Sequence, residues 1–234
     1  MSTQDLEEIP ETSVHTRETP EWMKSNRQGM MILIGLGVVV VIGVAVWLYM
    51  QYKNDQNTEA TMALARIRPV YIEGRYSMAL TGDSIPPVGD IDVMGLTEIS
   101  AEYGGTEAGK DAALLAGHSL VSLGRYAEAV AEYEQAEKSD AVLVQVGALN
   151  GLGVCKEVDK DLAGAAAYYE KAADKGLKTG LEARSLLYAG LAYEKAGDTK
   201  KAGELFTRIV RKYGASESSS AAKTGLARLG MAID

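Results

Sequence analysis

The sequence has few of the residues that most often carry chemistry. A single cysteine among 234 residues, Cys155, excludes an intrachain disulfide framework and a cysteine-rich metal site, and leaves the redox compartment open. The only two histidines, His15 and His118, stand far apart in the chain, so metal ligation and triad chemistry have few candidates and no metal or other cofactor is expected. No basic stripe interrupts a net charge of −8, and without one the phosphate neutralisation that nucleic-acid binding needs is missing. No nucleophile–base pair or phosphate loop is found, so the expectation is not an enzyme. Apart from twelve Tyr the aromatics are scarce, one Phe and two Trp. With 47% hydrophobic and 24% charged residues the composition is still that of a folded chain of one or two domains.

One segment departs from this average. Between Arg27 and Lys53 the chain carries no charge, and at 1.5 Å per residue the apolar stretch is on the order of 30 Å long, enough for a bilayer core. Residues 28–52 are therefore expected to be a transmembrane anchor in contact with lipid. Trp22 precedes the span and Trp47, Tyr49 and Tyr52 close it, where amphipathic rings favour the headgroup level. A cleaved signal would have a shorter apolar core and a small-residue cleavage site, whereas "WLYMQYKND" follows here. Gly35, Gly37 and Gly43 lie in the span without GxxxG spacing, a weak packing signal. Lys24 and Arg27 before the span outweigh Lys53 after it only slightly, so charge alone leaves the orientation almost open. Residues 1–27, polar and without an apolar period, are expected to form a disordered tail.

The rest of the chain repeats itself. "GRYAEAVAEYEQA" at 124–136 returns as "KDLAGAAAYYEKA" at 160–172 and "GDTKKAGELFTRI" at 197–209. Three columns agree, Gly117/Gly153/Gly190, Ala129/Ala165/Ala202 and Tyr133/Tyr169/Phe206, with spacings of 36 and then 37 residues. Within each copy the apolar residues recur at three and four residue intervals around one polar turn, so each is expected to be a helix pair and the whole a stack. Gly in a helix costs up to about 1 kcal/mol relative to Ala, so its recurrence at one column argues for close approach of a partner. The expected repeats are 110–143, 146–179 and 183–216, preceded by a degenerate unit at 53–109 signalled by "EGRYSMAL" and interrupted by a loop at 81–90, and closed by a capping helix in 217–234.

This pattern resembles the tetratricopeptide repeat through Gly117, Leu120, Gly124, Tyr126, Ala129, Tyr133 and Ala136 and their later counterparts. The sequence departs from it where Ala113, Leu149 and Leu186 replace a bulky aromatic. The fold class is thus all-α, one transmembrane helix followed by a tetratricopeptide solenoid. Carrying over the family's groove columns gives Leu114, His118 and Val121, then Asn150, Val154 and Glu157, then Arg184, Leu187, Leu191 and Glu194 as the expected peptide or partner contacts. The alternative for the leucines and valines is inter-repeat packing, and the plainer reading of His118 is a partly buried imidazole bonded to a neighbour. Cys155 is expected to be a small packed residue, "EVDKDL" a solvated turn, and Glu132 and Glu134 a solvent-facing pair.

The arrangement of anchor and repeats, with "EYGGTEAGKDAALLAGHSLVSLGRYAEAV", resembles the YfgM-type family of ancillary subunits of the bacterial SecYEG translocon. That resemblance implies an inner-membrane protein with a cytoplasmic N-terminus and periplasmic repeats. Its implied partners are Sec translocon subunits, periplasmic chaperones or secreted clients. A structural or accessory subunit of another envelope complex, held mainly through its transmembrane helix, is the alternative.

Overall fold

The computed structural model describes residues 21–87, 89 and 91–232. The described chain is all-α and divides into two units, residues 1–51 and 52–234. The first helix, α1 (Glu21–Ile72), begins in the first unit and ends in the second. Residues 21–27, expected in a disordered tail, are helical; they contain no Gly or Pro, so a helix nucleated in the apolar span extends through them at little cost. The remainder of that tail lies outside the described residues. From Met30 onward the first unit exposes its apolar side chains, and an 18-residue window of α1 has a mean hydropathy of 2.9, so by length and composition this helix is apolar enough to cross a membrane.

The second unit opens with the remainder of α1, which buries Ala60, Ala63, Leu64, Ile67 and Val70, one face at helical spacing. Short helices α2 (Tyr76–Thr81) and α3 (Leu96–Tyr103) follow, separated by a loop. The neck of that loop is tight: a Cβ on Gly95 would lie 2.2 Å from the Leu80 carbonyl oxygen, and Thr97 Oγ1 donates to the same oxygen at 2.7 Å. Then come three helix pairs, α4 (Glu107–Ser122) with α5 (Tyr126–Ala136), α6 (Val142–Val158) with α7 (Leu162–Lys175), and α8 (Glu182–Ala196) with α9 (Thr199–Lys212). A final helix, α10 (Glu217–Arg228), covers the last pair. From α2 onward each helix packs on the next, and α4 also meets α6 as α8 meets α10, the layering of a solenoid.

Among the described residues, four of the turns that join one helix to the next share one geometry. At Gly74, Gly124, Lys160 and Gly197 the backbone is left-handed, with φ of 75°, 74°, 63° and 83°. In each the following amide reaches back five residues: Arg75 to Val70, Arg125 to Leu120, Asp161 to Lys156 and Asp198 to Tyr193. The turn before α2 therefore copies those inside the three repeats. Where Asp follows the turn its side chain caps the next helix, Asp161 accepting from the Gly164 amide at 2.9 Å and Asp198 from that of Lys201 at 3.1 Å.

The repeat columns meet as rings on glycines. A Cβ on Gly117 would lie 2.6 Å from the Tyr133 ring, one on Gly153 2.4 Å from Tyr169, and one on Gly190 2.5 Å from Phe206. On the opposite side, a Cβ on Gly151 would lie 2.2 Å from Tyr133 and one on Gly225 2.5 Å from Phe206. Each of these rings is thus seated between its own pair and the next. In the buried core beside them lie Ala113, Leu149 and Leu186, the residues that stand where the family has a bulky aromatic.

The third pair is tied by one buried carboxylate. Glu182, 1% exposed, accepts from Arg208 at 2.5 Å, from Lys212 at 2.9 Å and from the Tyr213 hydroxyl. Burial acts to raise its pKa, and the three donors overcome that and hold it below the ordinary carboxylate value of 4.5.

Two expectations follow. Phe206→Ala costs about 3–5 kcal/mol by cavity formation. Gly190→Ala costs roughly 1–3 kcal/mol by overpacking, less the helix propensity it gains, because the Phe206 ring is held from both sides and cannot yield. In the double variant the new methyl enters vacated space, so thermal unfolding should show the pair costing less than the sum. For Glu182, a depressed folded pKa gives stability that is present above pH 4.5 and lost as pH falls through the folded value. Glu182→Gln is expected to lose roughly 1–3 kcal/mol at neutral pH, with the gap to the unsubstituted protein closing in acid when unfolding is followed from pH 7 to 3.

Candidate functional site

The first helices of the three pairs, α4, α6 and α8, line a hollow of about 710 Å³. Seven of the ten expected contacts meet there: His118 and Val121 from α4, Asn150, Val154 and Glu157 from α6, and Arg184 and Leu191 from α8. Three do not line it. Leu114 is buried toward α6, where a Cβ on Gly147 would lie 3.1 Å from its side chain; Leu187 packs on the core of the third pair; and Glu194 holds Arg228 in a bidentate ion pair at 2.8 and 2.7 Å. The same helical spacing serves core and groove, and a rotation of one residue step decides between them.

The hollow also contains residues that the groove columns omit. Tyr133 and Tyr169 line it from the second helices α5 and α7, and Tyr188 and Lys195 come from α8. Tyr188 occupies the column of Gly151 and Gly225, 37 residues from each. Where Tyr133 and Phe206 have a glycine on the far side, Tyr169 has the Tyr188 ring, at 5.5 Å between centroids and an interplanar angle of 55°. That interruption of a glycine column was the available sequence signal. Tyr188 is 38% exposed and lines the groove with Val154, 37% exposed.

A short polar chain crosses the floor. Tyr169 donates its hydroxyl proton to Glu157 at 2.9 Å, and Lys195 donates to the other Glu157 oxygen at 2.5 Å, tying α7, α6 and α8 together. Burial, followed by the bond to Glu157, pushes the Tyr169 hydroxyl pKa well above its usual value, so it stays a donor. Glu157 is therefore engaged rather than part of a solvated turn. His118 faces the Tyr133 ring edge-on, at 5.7 Å and 64°, and among the described residues no hydrogen bond reaches its imidazole, so the bonded neighbour expected for it is replaced by a ring. Burial lowers its pKa, leaving it neutral at pH 7.

Two polar groups of the groove have no partner among the described residues. The Asn150 Oδ1 is buried without a donor, and among the described residues no ion pair reaches the exposed Arg184 guanidinium. Elsewhere, Cys155 is buried with its thiol against the Tyr126 carbonyl at 3.7 Å, and burial raises its pKa. Glu132 does not face solvent as expected: it is half-buried and accepts from Ser100 at 2.7 Å. Among the described residues no group of three His, Cys, Asp or Glu is placed to hold a metal ion. A second hollow, about 670 Å³, lies between the end of α1 and the α4 and α6 helices, crossed by an Arg68–Asp111 ion pair at 2.6 Å.

Residues 114–178 match the tetratricopeptide repeat family model. The match runs from within α4 to just past α7, and the columns it covers continue into α8 and α9, so the helix pairs are similar to tetratricopeptide repeats. Repeats of this kind generally mediate protein–protein interactions. No curated protein matches the chain.

The buried neutral His118 gives an expected titration. Its folded pKa lies below 6.5, so it favours folding above that pH and weakens it as pH falls through 6.5, where the unfolded chain takes up the proton first. In a His15→Gln protein, NMR should show a single imidazole midpoint below 6.5.

Proposed function

We propose that the protein is a membrane-anchored scaffold or adaptor that binds other proteins in the α4/α6/α8 groove. The carrying observation is that groove's exposed apolar wall, Val154 and Tyr188, set beside two polar groups without partners among the described residues, Asn150 and Arg184. Apolar side chains left open to solvent in a concave hollow beside polar groups are what a binding face presents. The tetratricopeptide match supports a protein as the ligand. In this reading α1 spans the bacterial inner membrane once, with the N-terminus cytoplasmic and the repeats periplasmic, an orientation supported by Lys24 and Arg27 ahead of the span. The protein works beside the Sec translocon, receiving secreted clients or periplasmic chaperones; this part rests on the resemblance of anchor and repeats alone.

A second reading, a structural or accessory subunit of another envelope complex, is favoured by one observation: the apolar side chains from Met30 to Met50 are exposed, and a partner helix covers them as well as lipid does. A photo-crosslinking residue at Val154 in the full-length protein in its native cells tests both. The adaptor reading expects translocon subunits, periplasmic chaperones or secreted proteins among the captured partners, identified by mass spectrometry. Capture of cytoplasmic proteins alone overturns the orientation and with it the role, and capture only from crosslinkers within the span favours the accessory subunit.

A further inference from the structure

We infer that the connection between α7 and α8 docks on anionic phospholipid headgroups, with Leu177 set among them and Lys175 and Lys178 paired with their phosphates. This rests on α1 spanning a bilayer, as proposed above, and is independent of what the groove binds. The fold decides which connections share the end at which the chain enters the second unit. That unit begins at Tyr52, directly after the span, and Lys53 donates to the Gly105 carbonyl in the α3–α4 connection at 2.8 Å. The Gln135 side chain donates to the neighbouring Gly104 carbonyl at 2.8 Å and Glu107 accepts from Ser139 at 2.6 Å, which puts the α5–α6 connection at the same end. Leu181 packs with Val146 and Leu149 from the first half of α6, and Glu182 binds Arg208 and Lys212 from the last two turns of α9. The α7–α8 and α9–α10 connections therefore stand there too, and the left-handed turns inside the pairs lie at the other end.

Of these four connections the α7–α8 one, residues 176–181, is the longest. It is also the one with left-handed backbone among the described residues, at Lys178 and Gly180, φ 64° and 83°. Thr179 closes it, its amide and its hydroxyl both donating to the Gly176 carbonyl, at 3.1 and 2.7 Å. The outcome is an apolar tip, Leu177 at 45% exposure, flanked by two exposed lysines that have no ion pair among the described residues. An apolar tip between unpaired cations matches the depth at which acyl chains meet phosphates. The charge of the second helices agrees. In α3 and α5 there are acids and no base, whereas α9 holds five bases against one acid, so an anionic surface attracts the C-terminal half of the unit and repels the other.

Spin labels on the full-length protein test this, one copy per nanodisc, with the buried Cys155 replaced by Ala. Labels are placed singly by Leu177→Cys, by Leu123→Cys at the opposite end, where an exposed leucine serves as control, and by Val40→Cys in the span. Relaxation by oxygen and by a soluble nickel chelate reads their depth in phosphatidylcholine discs with and without phosphatidylglycerol. With phosphatidylglycerol the label at 177 is expected to favour oxygen, as at headgroup depth, while the label at 123 reads aqueous. Omitting phosphatidylglycerol, or combining Lys175→Gln with Lys178→Gln, should lower the ratio of immersed to aqueous label at 177 on the order of twentyfold. Thermal unfolding should not change, because both lysines are exposed. An aqueous label at 177, immersion that survives either change, or equal immersion at 123 overturns the inference and leaves the span standing. A label at 177 shielded from both relaxants marks a protein contact and overturns it too. If the label at 40 reads aqueous, the span itself falls and the inference with it.

Discussion

The structure of the second unit depends on one contact, an aromatic ring from the second helix of a pair resting on glycines of the first helices and of α10 around it. With a Cβ at any of Gly117, Gly151, Gly153, Gly190 or Gly225 the ring atoms would lie 2.2 to 2.6 Å away, closer than packed carbons approach. The ring's thickness therefore fixes how far apart consecutive first helices stand. Five glycines inside helices cost up to about 1 kcal/mol each in propensity, and burial of Tyr133, Tyr169 and Phe206 offsets that. Since those first helices also line the groove, the same contact sets the width of the proposed binding face.

Tyr188 shows how the stack and the groove are connected. At the column where a glycine would let the next helix close on Tyr169, a second ring stands instead and turns outward into the hollow. Around it the polar groups divide into those bonded within the protein, Tyr169, Glu157 and Lys195, and those without a partner among the described residues, Asn150 Oδ1 and Arg184. The bonded set holds three helices in register, so the groove is preorganised and a ligand need not order it.

Much of the all-α stack was legible from three columns at 36 and 37 residues, because ring, alanine and glycine each have only one packing solution at that period. The turn at Gly74 was legible in "EGRYSMAL" for the same reason: a left-handed turn constrains its residue types locally. The groove was less legible. Leu114, Leu187 and Glu194 have the spacing of groove residues, yet two pack inward and one is captured by Arg228, a residue 34 positions on in a helix whose placement no local pattern reveals. Glu132 and Glu157 read as solvated charges because their partners, Ser100 and Lys195, are likewise distant in sequence. Residues 21–27 have the polarity of a tail, yet the helix of the span continues through them.

The central claim is that the first helices of the pairs, and not the second, present the protein-binding face. Photo-crosslinking residues placed singly at Val121, Val154 and Leu191 in the groove, and at the exposed Ala167, Lys171 and Lys200 on α7 and α9, compare the two faces in the same native cells. The account predicts one common set of captured proteins at the three groove positions and none of that set at the others. Equal capture on both faces, or capture confined to α7 and α9, would contradict it.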